Sequence, residues 1–98
     1  MWIGWIEFDL LLGDVHSLKE KRAIIRPMLA DLRRTTEASV AEVGDQDLHR
    51  RAEIGVAVVA AGADRATEVL DRAERLVAQR PEVTLLSARR RLRRSDDD

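Results

Sequence analysis

The order in which the apolar residues change period leaves this chain few folds. From Trp2 to Leu12 they alternate every second position, with Trp2, Ile6, Phe8, Leu10 and Leu12 on one side and Ile3, Trp5, Glu7, Asp9 and Leu11 on the other. That is the pattern of a strand with one buried face. Gly13 to His16 breaks it, and a 3.6-residue period then puts Leu18, Ile24, Ile25, Met28, Leu29 and Leu32 on one arc of a helix predicted over residues 17 to 34. Ser17 is its N-cap, and Glu20, three positions on, completes a capping box by reaching back to the Ser17 N–H. Pro27 lies inside that helix, where a missing donor and a clash with the preceding turn predict a kink or a break into two short helices.

Short strands follow over 38 to 43 and 52 to 60, the latter with Ile54, Val56 and Val58 on one face, separated by a turn-rich connection. Gly62-Ala63-Asp64 supplies a turn and an N-cap for a second helix to about Gln79, burying Ala66, Val69, Leu70, Ala73, Leu76 and Val77. Arg80-Pro81 ends it, and a fourth strand runs from Val83 to about Arg90. The order strand, helix, strand, strand, helix, strand is the split βαβ pattern. It predicts an α+β, ferredoxin-like sandwich: one four-stranded antiparallel sheet, its first and third strands central, with both helices on one face. Residues 1 to 94 are expected as a single domain. The arginine-rich chain end reads as loose, with Ser95 to Asp98 as a flexible acidic tail.

Composition removes several classes of function. The 98 residues include no cysteine, which excludes disulfides, thiol catalysis and thiolate metal sites. No basic segment precedes an apolar one at the start and no apolar run approaches eighteen residues, so a cytosolic protein with no membrane segment is expected. Charged residues are 36% of the chain but cancel to a net −1, so nucleic acid would have to be met by local patches. Trp2, Trp5 and Phe8 are the only aromatics, too few for an extended base-stacking platform or a cofactor pocket, and no cofactor is expected.

Two runs, Ser17-Leu18-Lys19-Glu20-Lys21-Arg22 and Val40-Ala41-Glu42-Val43-Gly44-Asp45-Gln46-Asp47-Leu48, give the chain its resemblance: it is similar to the YlxP-like family of small bacterial proteins of unknown function. The resemblance covers most of the chain and implies a ferredoxin-like fold. The family's genes often lie among those for translation initiation and ribosome-binding factors, which implies a role near RNA or the ribosome by association. Many relatives have tryptophan where this chain has His49, so a role tied to that aromatic does not carry over.

Three sets of residues are candidates for interaction. Lys19, Arg22, Arg26 and Arg33 form one stripe on the first helix, and Arg89, Arg90, Arg91, Arg93 and Arg94 crowd the chain end; both could follow phosphates, or be a solvated helix face and a solubilising terminus with Asp96 to Asp98 neutralising it in cis. The open sheet face carries Ile3, Trp5, Leu11, Ala57 and Val59, a surface for a homodimer or protein partner, while Glu7, Asp9 and Glu53 there should repel phosphates. Lys21 falls on the apolar arc of the first helix; it either snorkels or joins a structural polar cluster of Ser17, Glu20, Glu42, Asp45 and Asp47.

Catalysis is not expected. His16, His49, Asp14, Asp45 and Asp47 lack metal-ligand spacing, Ser17 beside His16 is better used as a cap, and the asparagine on which acylphosphatases of this topology rely has no counterpart. The helix start after Gly13 could meet a small anion, a property shared by very many helices. The expected function is therefore a non-enzymatic accessory protein associated with RNA or the ribosome, or alternatively a homodimeric interaction module without RNA.

Overall fold

A computed structural model describes residues 1 to 97; Asp98, the last residue of the acidic tail, lies outside the described residues. The elements are β1 (Trp2–Leu12), α1 (Leu18–Thr36), β2 (Ser39–Gly44), β3 (Arg51–Ala60), α2 (Ala63–Ala78) and β4 (Val83–Arg94). They form one antiparallel sheet in the order β2-β3-β1-β4, with β1 and β3 central. Alternation on β1 buries Ile6, Phe8, Leu10 and Leu12 completely, and Ile54 and Val56 of β3 join them under Ile25, Met28 and Leu32 of α1 and Leu70, Ala73 and Val77 of α2. Gly4 marks the closest approach of α2 to the sheet: a Cβ there would lie 3.1 Å from Leu70 Cδ1.

Ser17 caps α1 as expected, its Oγ accepting from the Glu20 N–H at 3.1 Å, but the Glu20 carboxylate accepts from the His16 N–H instead of that of Ser17. Pro27 does not break the helix. It sits on the exposed side, as does Ala23, whose carbonyl it deprives of a helical donor, while Ile25 and Met28 hold the turn to the core. The N-cap of α2 is Gly62, with no side-chain cap, and Asp64 stands in the first turn, where its charge favours the helix dipole.

The largest departure from expectation is at the chain end. β4 continues through the whole arginine run to Arg94, paired along β1 as far as Trp2, and Ser95 N–H donates to the Met1 carbonyl at 2.8 Å. A register shift opposite Asp9 and Leu10 makes Leu86 the extra residue of a bulge. The bulge reverses the facing of everything after it. Val83 and Leu85 lie on the helix side with Leu12 and Leu10, whereas Arg89, Arg91 and Arg93 come to the open side opposite Glu7, Trp5 and Ile3.

Candidate functional site

Each cationic side chain can be sorted by whether the protein already uses its charge. Arg33 donates to the Val40 carbonyl at 2.7 Å and so ties α1 to β2. Arg90 points to α2, where it meets Asp71 at 2.8 Å and Glu74 at 3.0 Å, and on α2 itself Glu68 pairs with Arg72 at 3.1 Å. Arg94 pairs with Asp96 at 3.0 Å and its guanidinium carbon stands 5.9 Å from the Trp2 ring centroid. Asp31 takes both Arg34 and Arg80. The arginine run is thus neither loose nor a single patch: alternation along β4 sends its members to opposite faces, and three of them are already paired.

The third of those three is Arg89. Its guanidinium lies 2.8 Å from Asp9, 3.1 Å from Glu53 and 3.4 Å from Glu7, so the acidic centre of the open face contains its own cation. Hydrogen bonds from Arg89 and then Ser87 hold the Asp9 carboxyl below its ordinary range. Loss of solvent, followed by a hydrogen bond with Glu7 and the nearby Asp9 charge, pushes Glu53 up despite Arg89. Asp45 also turns its carboxylate toward Asp9 and Glu53, with ligand oxygens of the three within 4.8 Å of one another. Sequence spacing could not show this trio, because only strand register brings positions 9, 45 and 53 together.

The opposed shifts give a signed expectation. A raised folded-state value for Glu53 means stability that is complete below the unfolded value and lost as pH rises through the folded one. The depressed Asp9 behaves oppositely, losing its contribution as pH falls through its folded value. Glu53→Gln should therefore unfold at a denaturant concentration equal to or higher than the parent at neutral pH, with the advantage vanishing below the ordinary glutamate range. Denaturation midpoints measured across the acid range check it; a Gln variant that is weaker at neutral pH and equal in acid would contradict it.

Along the open face, Ile3, Trp5, Ala57 and Val59 are neighbours through the pairs Ile3–Val59 and Trp5–Ala57, whereas Leu11 lies beyond Glu7 and Asp9 and is cut off from them. Val59 is 62% exposed. Trp5 borders a shallow, mainly apolar groove of about 440 Å³ with Ala57, Gly55, Ala41, Ser39 and Val43. Arg91 and Arg93 stand next to Trp5 and Ile3, exposed and without an ion pair among the described residues, so this face is less negative than the sequence led us to expect.

On the other side of the molecule, Lys21 joins the two runs that mark the sequence. Its side chain is 3% exposed, its Nζ donates to the Asp45 carbonyl at 2.7 Å, and it lies 2.9 Å from Glu42 Oε2. Glu42 Oε2 is buried and accepts no well-aligned hydrogen bond, so the contact is one of charge, with the ammonium hydrogen directed at Asp45. Asp45 contributes its backbone, held at φ 58°, and Asp47 stays exposed without touching Lys21. Ser17 and Glu20 serve the helix start and lie outside this cluster.

Above Lys21 on α1, Lys19, Arg22 and Arg26 surround a shallow groove of about 410 Å³ with Ala23 and Pro27. All three cations are exposed, and none has an ion pair among the described residues. Successive members are three and four residues apart, which sets neighbouring side chains about 5 to 6 Å from each other at Cβ. His16 and Asp14 form an exposed pair at 2.7 Å, away from Asp45 and Asp47, so the histidines and acids weighed from sequence do not converge. No helix among the described residues is long and apolar enough to cross a membrane.

Comparisons with known proteins agree on family and fold. The solution structure of a de novo designed protein with a ferredoxin fold superposes with a TM-score of 0.53 at 15% identity, covering 99% of this chain and 89% of that one, a likeness of fold alone. An uncharacterized protein, YlxP of Bacillus subtilis (strain 168), is 31% identical over 81 residues, 83% of this chain and 88% of the relative. The family described as "Protein of unknown function (DUF503)" matches residues 3–90, the span that holds both signature runs, the buried Lys21 and the row of free cations on α1. The chain has a ferredoxin-like fold and belongs to that family, which is described as of unknown function.

Proposed function

We propose that this protein is a non-enzymatic, cytoplasmic accessory protein that binds RNA, or an RNA-containing assembly such as the ribosome, by its phosphate backbone. The observation that carries this reading is the clustering of Lys19, Arg22 and Arg26 around one groove with no carboxylate paired to them among the described residues. Most other cations of the chain are paired, or bonded to carbonyls. Exposed cations without partners exchange their counterions for phosphates at a gain in entropy, with no sequence preference of their own. The net charge of −1 makes the attraction local.

Three phosphate contacts on a single strand correspond to a slope of about −2 in log affinity against log salt. A labelled, unstructured oligoribonucleotide should bind in low salt with that dependence, read by fluorescence anisotropy. No binding in low salt, or binding indifferent to salt, would count against the reading.

A second reading, a homodimer through the open sheet face, is favoured by the apolar groove beside Trp5 and the exposed Val43 and Val59. Trp5→Glu would disperse such a dimer in sedimentation while leaving RNA affinity as it was.

A further inference from the structure

Arg22 and Arg26 are the common wall of two depressions. One is the shallow basic groove with Lys19; the other is a more enclosed cleft of about 300 Å³ between α1 and the end of β2. On its α1 side the half-buried Leu18 and Leu29 give apolar surface between the cations, with the buried Ile25 beneath them. Facing it are Glu42, Gln46 and Asp47, with Lys21 between. Most of these polar groups are committed: Lys21 and Glu42 to each other, and the Gln46 amide to the Glu42 carbonyl at 3.2 Å. The Asp47 carboxylate is exposed and has neither ion pair nor hydrogen bond among the described residues. The cleft thus offers an apolar patch at Leu18 and Leu29, two guanidinium groups at its lip and one uncommitted carboxylate that can only accept hydrogen bonds.

We propose that this cleft takes one unpaired guanine of the RNA chain whose phosphates lie on Lys19, Arg22 and Arg26, a reading that rests on the RNA binding argued above. A chain following the basic groove passes the shared wall, which brings an adjoining base to the mouth of the cleft. Bases of single strands are free to turn out and be read on their Watson–Crick edges. A base laid against Leu18 and Leu29 covers their apolar surface and leaves that edge toward Asp47. Guanine presents two adjacent donors there, N1–H and N2–H, which match the two oxygens of one carboxylate. Adenine, cytosine and uracil each present one donor beside an acceptor, and the acceptor faces a negative oxygen. A volume of about 300 Å³ is at the small end for ligand sites, in keeping with a single nucleotide unit. The carboxylate is otherwise unfavourable beside a phosphate-binding row, since it repels the backbone unless the ligand donates to it.

The test uses fluorescein-labelled heptauridylate and three versions with guanine, adenine or cytosine at the central position, titrated by anisotropy in about 50 mM salt, where backbone binding is strong. The guanine oligonucleotide should bind roughly tenfold tighter than the other three, the scale of one bidentate base contact. Asp47→Asn should erase that difference and leave heptauridylate binding equal or tighter, because a negative charge has gone. Equal binding of all four by the parent, or a guanine preference that survives Asp47→Asn, overturns the cleft's role while leaving backbone binding intact. Failure of every oligonucleotide to bind overturns both readings.

Discussion

Replacing Lys21 by methionine should cost the fold about 3 kcal/mol, read as a lower denaturant midpoint at unchanged slope. The side chain is almost wholly buried, and its ammonium joins three parts of the protein: α1 that carries it, Glu42 on β2, and the Asp45 carbonyl just past the end of that strand. Methionine keeps the stem and most of the packing, so the loss comes from charge and hydrogen bonding. Glu42 Oε2 is left buried without its counter-charge, and the Asp45 carbonyl loses its donor. Breaking a buried pair by removing one member costs about 3 to 5 kcal/mol; the Glu42 side chain is 23% exposed, so water relieves part of the penalty and the lower end applies. The residue at φ 58° adds to the effect, since a non-glycine residue holds the left-handed region only when its surroundings impose it. Lys21→Met with Glu42→Leu should recover most of the loss, because a pair of apolar side chains leaves no stranded charge. A double-mutant cycle separates the pair from its parts. A single variant as stable as the parent would show that the cluster contributes nothing to the fold.

The same pair shows how far the sequence could be read. Lys21 on an apolar arc and an acidic run at the end of β2 are both visible as patterns, and so is their need for each other. What no pattern gives is which atom answers: the Asp45 backbone takes the ammonium hydrogen while the Asp47 side chain stays out, a distinction made by the backbone turn after Gly44. Element order and the central place of β1 and β3 follow from periodicity, because a period of two and a period of 3.6 are hard to mistake over eleven and nineteen residues. The end of β4 was hidden for a physical reason. Arg89 to Arg94 has the composition of a solvated terminus, yet it runs in continuous antiparallel register along β1, and tertiary pairing overrides composition. One bulge at Leu86 then decides the face of every arginine after it, and a bulge leaves no signature in residue type at this position. The charge census of the site depends on that facing, so the candidate surface contracted from nine cations to the three on α1 and the pair beside Trp5.

Lys19→Gln, Arg22→Gln and Arg26→Gln together should reduce RNA affinity far more at about 50 mM salt than at about 200 mM. Removing three phosphate contacts worth about 0.7 each in the salt exponent, with equal affinities near 1 M, gives losses on the order of 500-fold and 30-fold at those two salt concentrations. The convergence of the two titrations at high salt matters more than either number, because it identifies the lost term as counterion release instead of a lost shape. Folding should be nearly untouched. The three side chains are exposed and hold no carboxylate, and glutamine has much the same helix propensity as the residues it replaces. The informative control is Arg91→Gln with Arg93→Gln, the same kind of change on the open sheet face, where the cations are also exposed and free of ion pairs. If α1 is the RNA surface, that double variant keeps the parent's salt exponent. If it flattens the exponent while the α1 variant keeps it, the phosphates run over the sheet beside Trp5, and the acidic centre held by Arg89 becomes the boundary of the site instead of its exclusion.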